Sequence, residues 1–411
     1  MVRKNHLSEL CKWNVAVFLF YIFWFKYAYK EIVSVIYITG LIAIFCMFLD
    51  LFLNNIDISC VFPFGVSVNL IICVYSIITG IFISVQYTLV ISQIKTYVCY
   101  TLMCMAICYV TYIEKNIYWL TKLLIYVSIV CCLQVRFKGY HKVLYGYVMS
   151  KDNNPNSFGL VLDLGIFGII YTYSMIKRNS IKILNILLIL SFLGFIVGCG
   201  SRKCLIAAVI IIAVWMIPFI NEKLYNSSWI NKCLIILSML LLAAFIVYYY
   251  NNYYVNTDSY NRMRILGDTT NSEGSSAKRE LYYQLAYESF LQNPLFGIGY
   301  QQFRFINKYG AISHSTYAEA LASWGLIGSI IYFGPVICVG KRLVCKIIKK
   351  DSPYFIKALI ALWVMELFLG IGQIWFYSVE HLTAWTIIYL VDHIYDEKQE
   401  IPKEKYKYVK A

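Results

Sequence analysis

At 411 residues, 60% hydrophobic and only 14% charged, with a mean hydropathy of +0.64, the chain lies far outside soluble composition. Repeated apolar runs of about twenty residues make it an all-α, polytopic membrane protein, and their continuous apolarity argues against a β-barrel, whose strands alternate. The formal net charge of +14 falls largely in short loops and the C-terminal tail, as a positive-inside bias would place it, so nucleic acid is not an expected partner.

The N-terminus carries Arg3, Lys4 and Lys12 before the first apolar run and reads as a retained signal-anchor. Spans are predicted over about 15–25, 32–53, 64–84, 89–113 and 117–135. The connections between them are short, which makes neighbours antiparallel. A polar interval, 136–157, ends in Asn153-Asn154-Pro155-Asn156-Ser157, a loop followed by a helix start near Phe158. Further spans follow over 158–175, 181–197, 204–220 and 234–250, then 317–339, 355–377 and 381–394. The total is about 12 transmembrane helices in one integral membrane domain, 1–411.

With the N-terminus inside, that count puts Lys177-Arg178, the basic run Lys341 to Lys350 and the lysine-rich tail on the cytoplasmic side. It puts 136–157, 200–203 and the long stretch 251–316 together on the outer side. Arg136, Lys138 and Lys142 are then basic residues on the disfavoured side, which hints at an anionic ligand there. Within the long loop, 277–292 has apolar spacing suited to an amphipathic helix lying across the outer surface. Pro294 stops that helix, and Gly297 and Gly299 make a compact turn. The 14 cysteines show no metal-binding spacing and read as small buried hydrophobes.

The candidate chemistry lies in the outer loops. Arg202 in Gly200-Ser201-Arg202-Lys203 offers a planar fork suited to phosphate, or, with Lys203, simply anchors a span end in headgroups. Arg279 is either a ligand group or the partner of Glu280 or Glu288. His314 suits general-base work and equally suits a hydrogen-bonded cap. Glu319 is about one and a half helical turns beyond His314, off its face. Asp163, Glu366 and Asp392 lie inside apolar runs, where a carboxylate marks a buried partner, function or an ion pathway of the kind transporters use. Nucleotide-loop, zincin and nucleophile-elbow motifs are missing, and Gly297-x-Gly299 lacks the context of a dinucleotide site. The outer loops also offer no carboxylate pair for a divalent ion, so a reaction here is expected to use Arg and Lys in place of a metal, and no cofactor.

Taken in order, Arg279, Ala286, Phe290, Asn293-Pro294-Leu295-Phe296-Gly297-Ile298-Gly299, His314-Ser315-Thr316-Tyr317 and Gly325-Leu326-Ile327-Gly328 resemble the C-terminal signature of the O-antigen ligase and O-antigen polymerase superfamily. Gly200-Ser201-Arg202 resembles its upstream Ser-Arg element, and Asn154-Pro155-Asn156-Ser157 its Pro-Asn element. The resemblance implies a helical fold similar to C-type glycosyltransferases, and a polyprenyl-diphosphate-linked glycan as donor. It also implies work on the outer face of the bacterial cytoplasmic membrane. It assigns Arg202 and Arg279 to the diphosphate and His314 to activation of the acceptor hydroxyl. Arg136, Lys203, Arg262, Arg264, Arg304 and Tyr317 are further candidates for substrate binding, and a chain-length regulator is a candidate partner. The family contains ligases, which transfer the glycan to the lipid A core, and polymerases, which transfer it to another lipid-linked repeat unit. The expectation here is a polymerase, with the ligase as the alternative and a lipid-linked oligosaccharide transporter as a third reading.

Overall fold

The computed structural model describes residues 5–25, 33–84, 86–137, 155–173, 175–226, 275–348 and 354–397. Every described element is helical. The long helices are α1 (His6–Phe25), α2 (Val33–Leu53), α3 (Phe64–Phe82), α4 (Tyr87–Glu114), α5 (Tyr118–Phe137), α6 (Pro155–Tyr173), α7 (Asn179–Cys199), α8 (Arg202–Asn226), α9 (Ser275–Gln292), α10 (Thr316–Ile348), α11 (Tyr354–Gly370) and α12 (Val379–Glu397). Eight of the described helices are long and apolar enough to cross a bilayer. Each expected span falls on a helix, 355–377 only in part, except 234–250, which lies outside the described residues.

Two expected boundaries are corrected. The run 355–377 is not one helix: α11 ends at Gly370 and is followed by a turn through Gln373 and a 3-10 turn, Trp375–Tyr377. Gly370 gives the returning chain room, because the Trp375 ring packs so close that a Cβ there would meet it at 2.6 Å. The span expected over 317–339 runs on to Ile348 and is broken at Gly325.

The chain forms two compact units, Met1–Leu123 with Asp268–Lys350 and Glu366–Ala411, and Leu124–Gly267 with Asp351–Met365. In the first unit, α2 turns Tyr37, Leu41, Phe45, Phe48 and Phe52 outward. That is an apolar face at helical spacing whose natural solvent is lipid. α3 does the same with Ile71, Val74, Ile78 and Ile81. The ends of helices within this unit sort by side. Gln302 pairs with the backbone of Gln86 before α4, through an N–H···O contact of 3.0 Å and a second of 3.3 Å. The start of α10 is tied to the turn after α11, where Thr316 N donates to Gln373 O at 3.0 Å. The end of α3, the starts of α4, α10 and α12, and the end of α11 therefore converge, as the alternation of antiparallel spans requires. Away from that end, Lys12 of α1 pairs with Glu114 of α4 at 2.7 Å. The Asp50 carboxylate is buried and accepts hydrogen bonds from Asn5, Asn54 and Tyr109.

In the second unit α6 is central, with Phe158 to Thr172 buried throughout. α7 is peripheral and exposes Ile183, Leu184, Leu187 and Leu190. Cysteines 46, 73, 104, 108, 131 and 132 are buried and free, as expected of small hydrophobes, whereas Cys99 is exposed.

Candidate functional site

The Asn293-to-Gly299 turn and the Gly325-to-Gly328 segment form one joint. At Gly325 the backbone takes φ 64°, ψ −163°, a region essentially reserved for glycine, and α10 opens. In an unbroken helix the N–H groups of Leu326 and Ile327 would reach the carbonyls of Ala322 and Ser323. Here Leu326 N donates to Pro294 O at 2.8 Å and Ile327 N to Leu295 O at 3.1 Å. Ile298 N and Gly299 N take the two released carbonyls, at 2.8 and 3.0 Å. The inserted turn thus replaces the helical bonds that the break removes, which a segment at membrane depth requires. A Cβ on Gly325 would stand 2.5 Å from the Leu295 carbonyl and the Gly297 nitrogen, and one on Gly297 2.5 Å from the backbone of Ser323 and Trp324.

This joint seats α9 on α10. Ala286, Ile298, Phe303 and Ala322 form a small buried core, with Leu285 and Ala318 packed against it. α9 spans Ser275–Gln292, close to the amphipathic stretch expected, and places Arg279 one turn inside its start. The next turn carries Tyr282 and Tyr283. The Tyr282 ring lies 6.0 Å from that of His314, and the Tyr283 hydroxyl donates to Ile371 O at 2.9 Å. Burial pushes the Tyr283 phenol upward, and the neighbouring Arg279 charge opposes that shift. Arg279 and His314 thus flank one tyrosine pair, both half-buried, at the end where α10 begins. His314 itself holds φ 61°.

In the second unit the Pro-Asn and Ser-Arg elements also meet. Ser201 Oγ donates to Asn156 Oδ1 at 2.8 Å, and its oxygen accepts from Cys204 N at 3.4 Å, which caps α8. The Cys204 thiol reaches Asn156 O at 3.2 Å, and Gly159 passes so close that a Cβ would meet Cys204 Cβ at 2.5 Å. Arg202 and Lys203 open α8, half-buried, and Arg136 is exposed near the end of α5.

Residues 186–333 match the family model described as O-antigen ligase. Over this segment the chain is similar to the O-antigen ligase family, which supports the superfamily resemblance drawn from its motifs. No curated protein matches it. The matched segment takes in Ser201-Arg202, Arg279, His314 and both halves of the α10 joint, while the Pro-Asn element precedes it. The match and the helical, multi-span architecture support a membrane enzyme that handles glycans.

Among the other candidate residues, Tyr317 has a settled partner. Tyr317 donates its hydroxyl to Leu367 O at 2.8 Å and stacks on Phe333, with ring centroids 5.5 Å apart. That ties α10 to the end of α11. Arg304 lies in the single helical turn Phe303–Ile306 over the Phe305 ring, and its charge acts on Glu319 and Tyr377. Arg262 and Arg264 fall outside the described residues, as does the backbone of 251–274. The side chain of Asp392 is likewise undescribed.

Two groups beside the family motif were not legible as partners. Glu319 was expected to stand off the histidine's face. In fact α10 starts only at Thr316, so helical spacing does not relate the two residues, and the Glu319 carboxylate turns back to accept from Ser313 N at 2.9 Å. Glu366 has a buried partner: its carboxylate is 2.7 Å from His381 Nδ1, and His381 Nε2 is 2.6 Å from Gln373 Oε1. An acidic residue inside an apolar run was the available signal for Glu366. Its histidine lies in the next helix, where no sequence periodicity links the two.

Proposed function

We propose that this enzyme is a polysaccharide repeat-unit polymerase. It transfers a glycan from polyprenyl diphosphate to the non-reducing end of another lipid-linked repeat unit, at the outer face of a bacterial cytoplasmic membrane. The observation that carries this reading is the contact of the Tyr282 and His314 rings, one helical turn beyond Arg279 and inside the segment that matches the family. An acceptor hydroxyl attacks the anomeric carbon, His314 takes its proton, and the bond from that carbon to the diphosphate oxygen breaks. Arg279 neutralises the charge that gathers on the departing diphosphate, and the likeness of Gly200-Ser201-Arg202 to the family element gives Arg202 the same task. A single displacement inverts the anomeric centre. Cationic side chains serve where other glycosyltransferases use a divalent ion, so transfer should persist in chelator.

The ligase reading is favoured by two observations, the description of the matching family and the spacing of His314-Ser315, nine residues, Gly325, two residues and Gly328. Purified protein reconstituted with lipid-linked donor separates the two when offered either a second lipid-linked repeat unit or lipid A core as acceptor. Extension of the repeat unit supports the polymerase, and transfer to the core alone supports the ligase. Movement of lipid-linked sugar between leaflets without transfer overturns both. In the same assay His314→Ala and Arg279→Ala should each lower transfer by about 100-fold or more while reaching the membrane normally.

A further inference from the structure

The turn that carries His314 is held from both sides, by Glu319 of α10 and by the turn that follows α11. On one side, the buried Glu319 carboxylate accepts from Ser313 N at 2.9 Å through Oε2 and from the Tyr377 hydroxyl at 2.9 Å through Oε1. Ser313 Oγ closes the turn by donating to Ser315 O at 3.0 Å and accepting from Ser315 N at 3.3 Å. On the other side, Thr316 N and Thr316 Oγ1 both donate to Gln373 O, at 3.0 and 2.7 Å, and the Gln373 side chain is held by His381. Tyr377 remains a hydroxyl donor because burial pushes its pKa well up, the Glu319 charge pushes it further, and Arg304 only partly opposes this.

Between these clamps His314 keeps φ 61°, a left-handed conformation that strains an L-residue. A charge-assisted hydrogen bond from a backbone amide to a buried carboxylate is strong enough to offset that strain. Released at Ser313, the backbone would relax toward negative φ and swing the imidazole away from Tyr282. We propose that Glu319 is a positioning residue for His314: its carboxylate, fixed by Tyr377, locks the Ser313 amide and so aims the imidazole. The proposal rests on the reading of His314 as the base. A plain alternative is that Glu319 merely favours the start of α10 through the helix dipole. That role would alter stability and leave turnover per folded molecule unchanged.

The test is a double-mutant cycle on the reconstituted full chain with lipid-linked donor and acceptor. Glu319→Ala should lower turnover by about 100-fold with little change in donor KM, the size expected when a reacting group is misplaced by about 1 Å. Glu319→Gln, whose carbonyl can still accept from Ser313, should recover most of the loss. In a His314→Ala background Glu319→Ala should cost nothing more, because it acts only through the imidazole. Equal proportional losses in both backgrounds, or full turnover in Glu319→Ala, would overturn the positioning role and leave His314 as base. Full turnover in His314→Ala would overturn the base and the positioning role with it. Should Glu319→Ala not fold, Tyr377→Phe keeps the ring and frees one carboxylate oxygen; turnover about tenfold lower supports the proposal and unchanged turnover overturns it.

Discussion

Two joints between motif segments, one in each compact unit, are built on opposite principles. The joint at Gly325 is made by main chain: Ile298, Gly299, Leu326 and Ile327 donate across it, and no side-chain hydroxyl or amide is needed for those bonds. The joint between Asn156 and Ser201 is made by side chains, a hydroxyl, an amide and a thiol. A main-chain joint tolerates any residue that leaves the backbone room and fails when a Cβ intrudes. The side-chain joint responds in graded fashion to the loss of single groups. The same contrast gives the motif glycines their meaning. Gly297 and Gly325 let two backbones meet, and nothing in their geometry calls for a phosphate between them.

The sharpest way to break the contrast is Gly325→Ala. The substitution enters a conformation open almost only to glycine, strained by about 1–3 kcal/mol, and the new Cβ would meet the Leu295 carbonyl at 2.5 Å. Displacing the turn also forfeits main-chain bonds each contributing about 1 kcal/mol net, so a loss of roughly 3–5 kcal/mol is expected. Thermal unfolding in detergent, together with the yield of monodisperse protein, measures it. A variant with native midpoint and native transfer would show that the break in α10 is incidental.

How far the sequence reached follows from the same division. Apolar runs, charge sidedness and the amphipathic stretch that became α9 are local signals, and they were legible because each is written in consecutive residues. Gly297 and Gly299 announced a turn, yet their partner at Gly325 could not be read, because a run such as Trp324-Gly325-Leu326-Ile327 is equally at home in an unbroken helix. The premature end of α11 was hidden for a related reason: Trp375 and Phe376 extend the apolar run while their rings pack back on the helix ends. The order of the motif pointed to Arg279 and His314 as candidates. The contacts of Glu319 gave no such sign, since they depend on α10 starting at Thr316 and on Tyr377, which is 58 residues away in sequence.

Ser201→Ala probes the other joint and should cost less. It removes the cap of α8 and the donor to Asn156 together, for a loss of about 1–2 kcal/mol. Ser201→Thr keeps the hydroxyl and should recover most of that stability, a rescue with no counterpart at Gly325. A loss at Ser201 as large as that of Gly325→Ala, seen in the same unfolding measurement, would erase the distinction between the two joints.

The smallest effect sharpens the comparison most. At the break in α10 a side chain also assists: the Tyr75 hydroxyl donates to Trp324 O at 2.9 Å and lies 3.3 Å from Phe296 O. Tyr75→Phe keeps the ring and removes only that donor. If the joint is held by main chain, the variant loses about 1 kcal/mol, visible as a small fall in the unfolding midpoint, and its transfer activity stays native because the inserted turn still satisfies Ala322 and Ser323. A fall as deep as that caused by Gly325→Ala would mean that the tyrosine holds the turn in place and that the backbone bonds merely follow. The glycines would then be permissive, and the first joint would obey the same rule as the second.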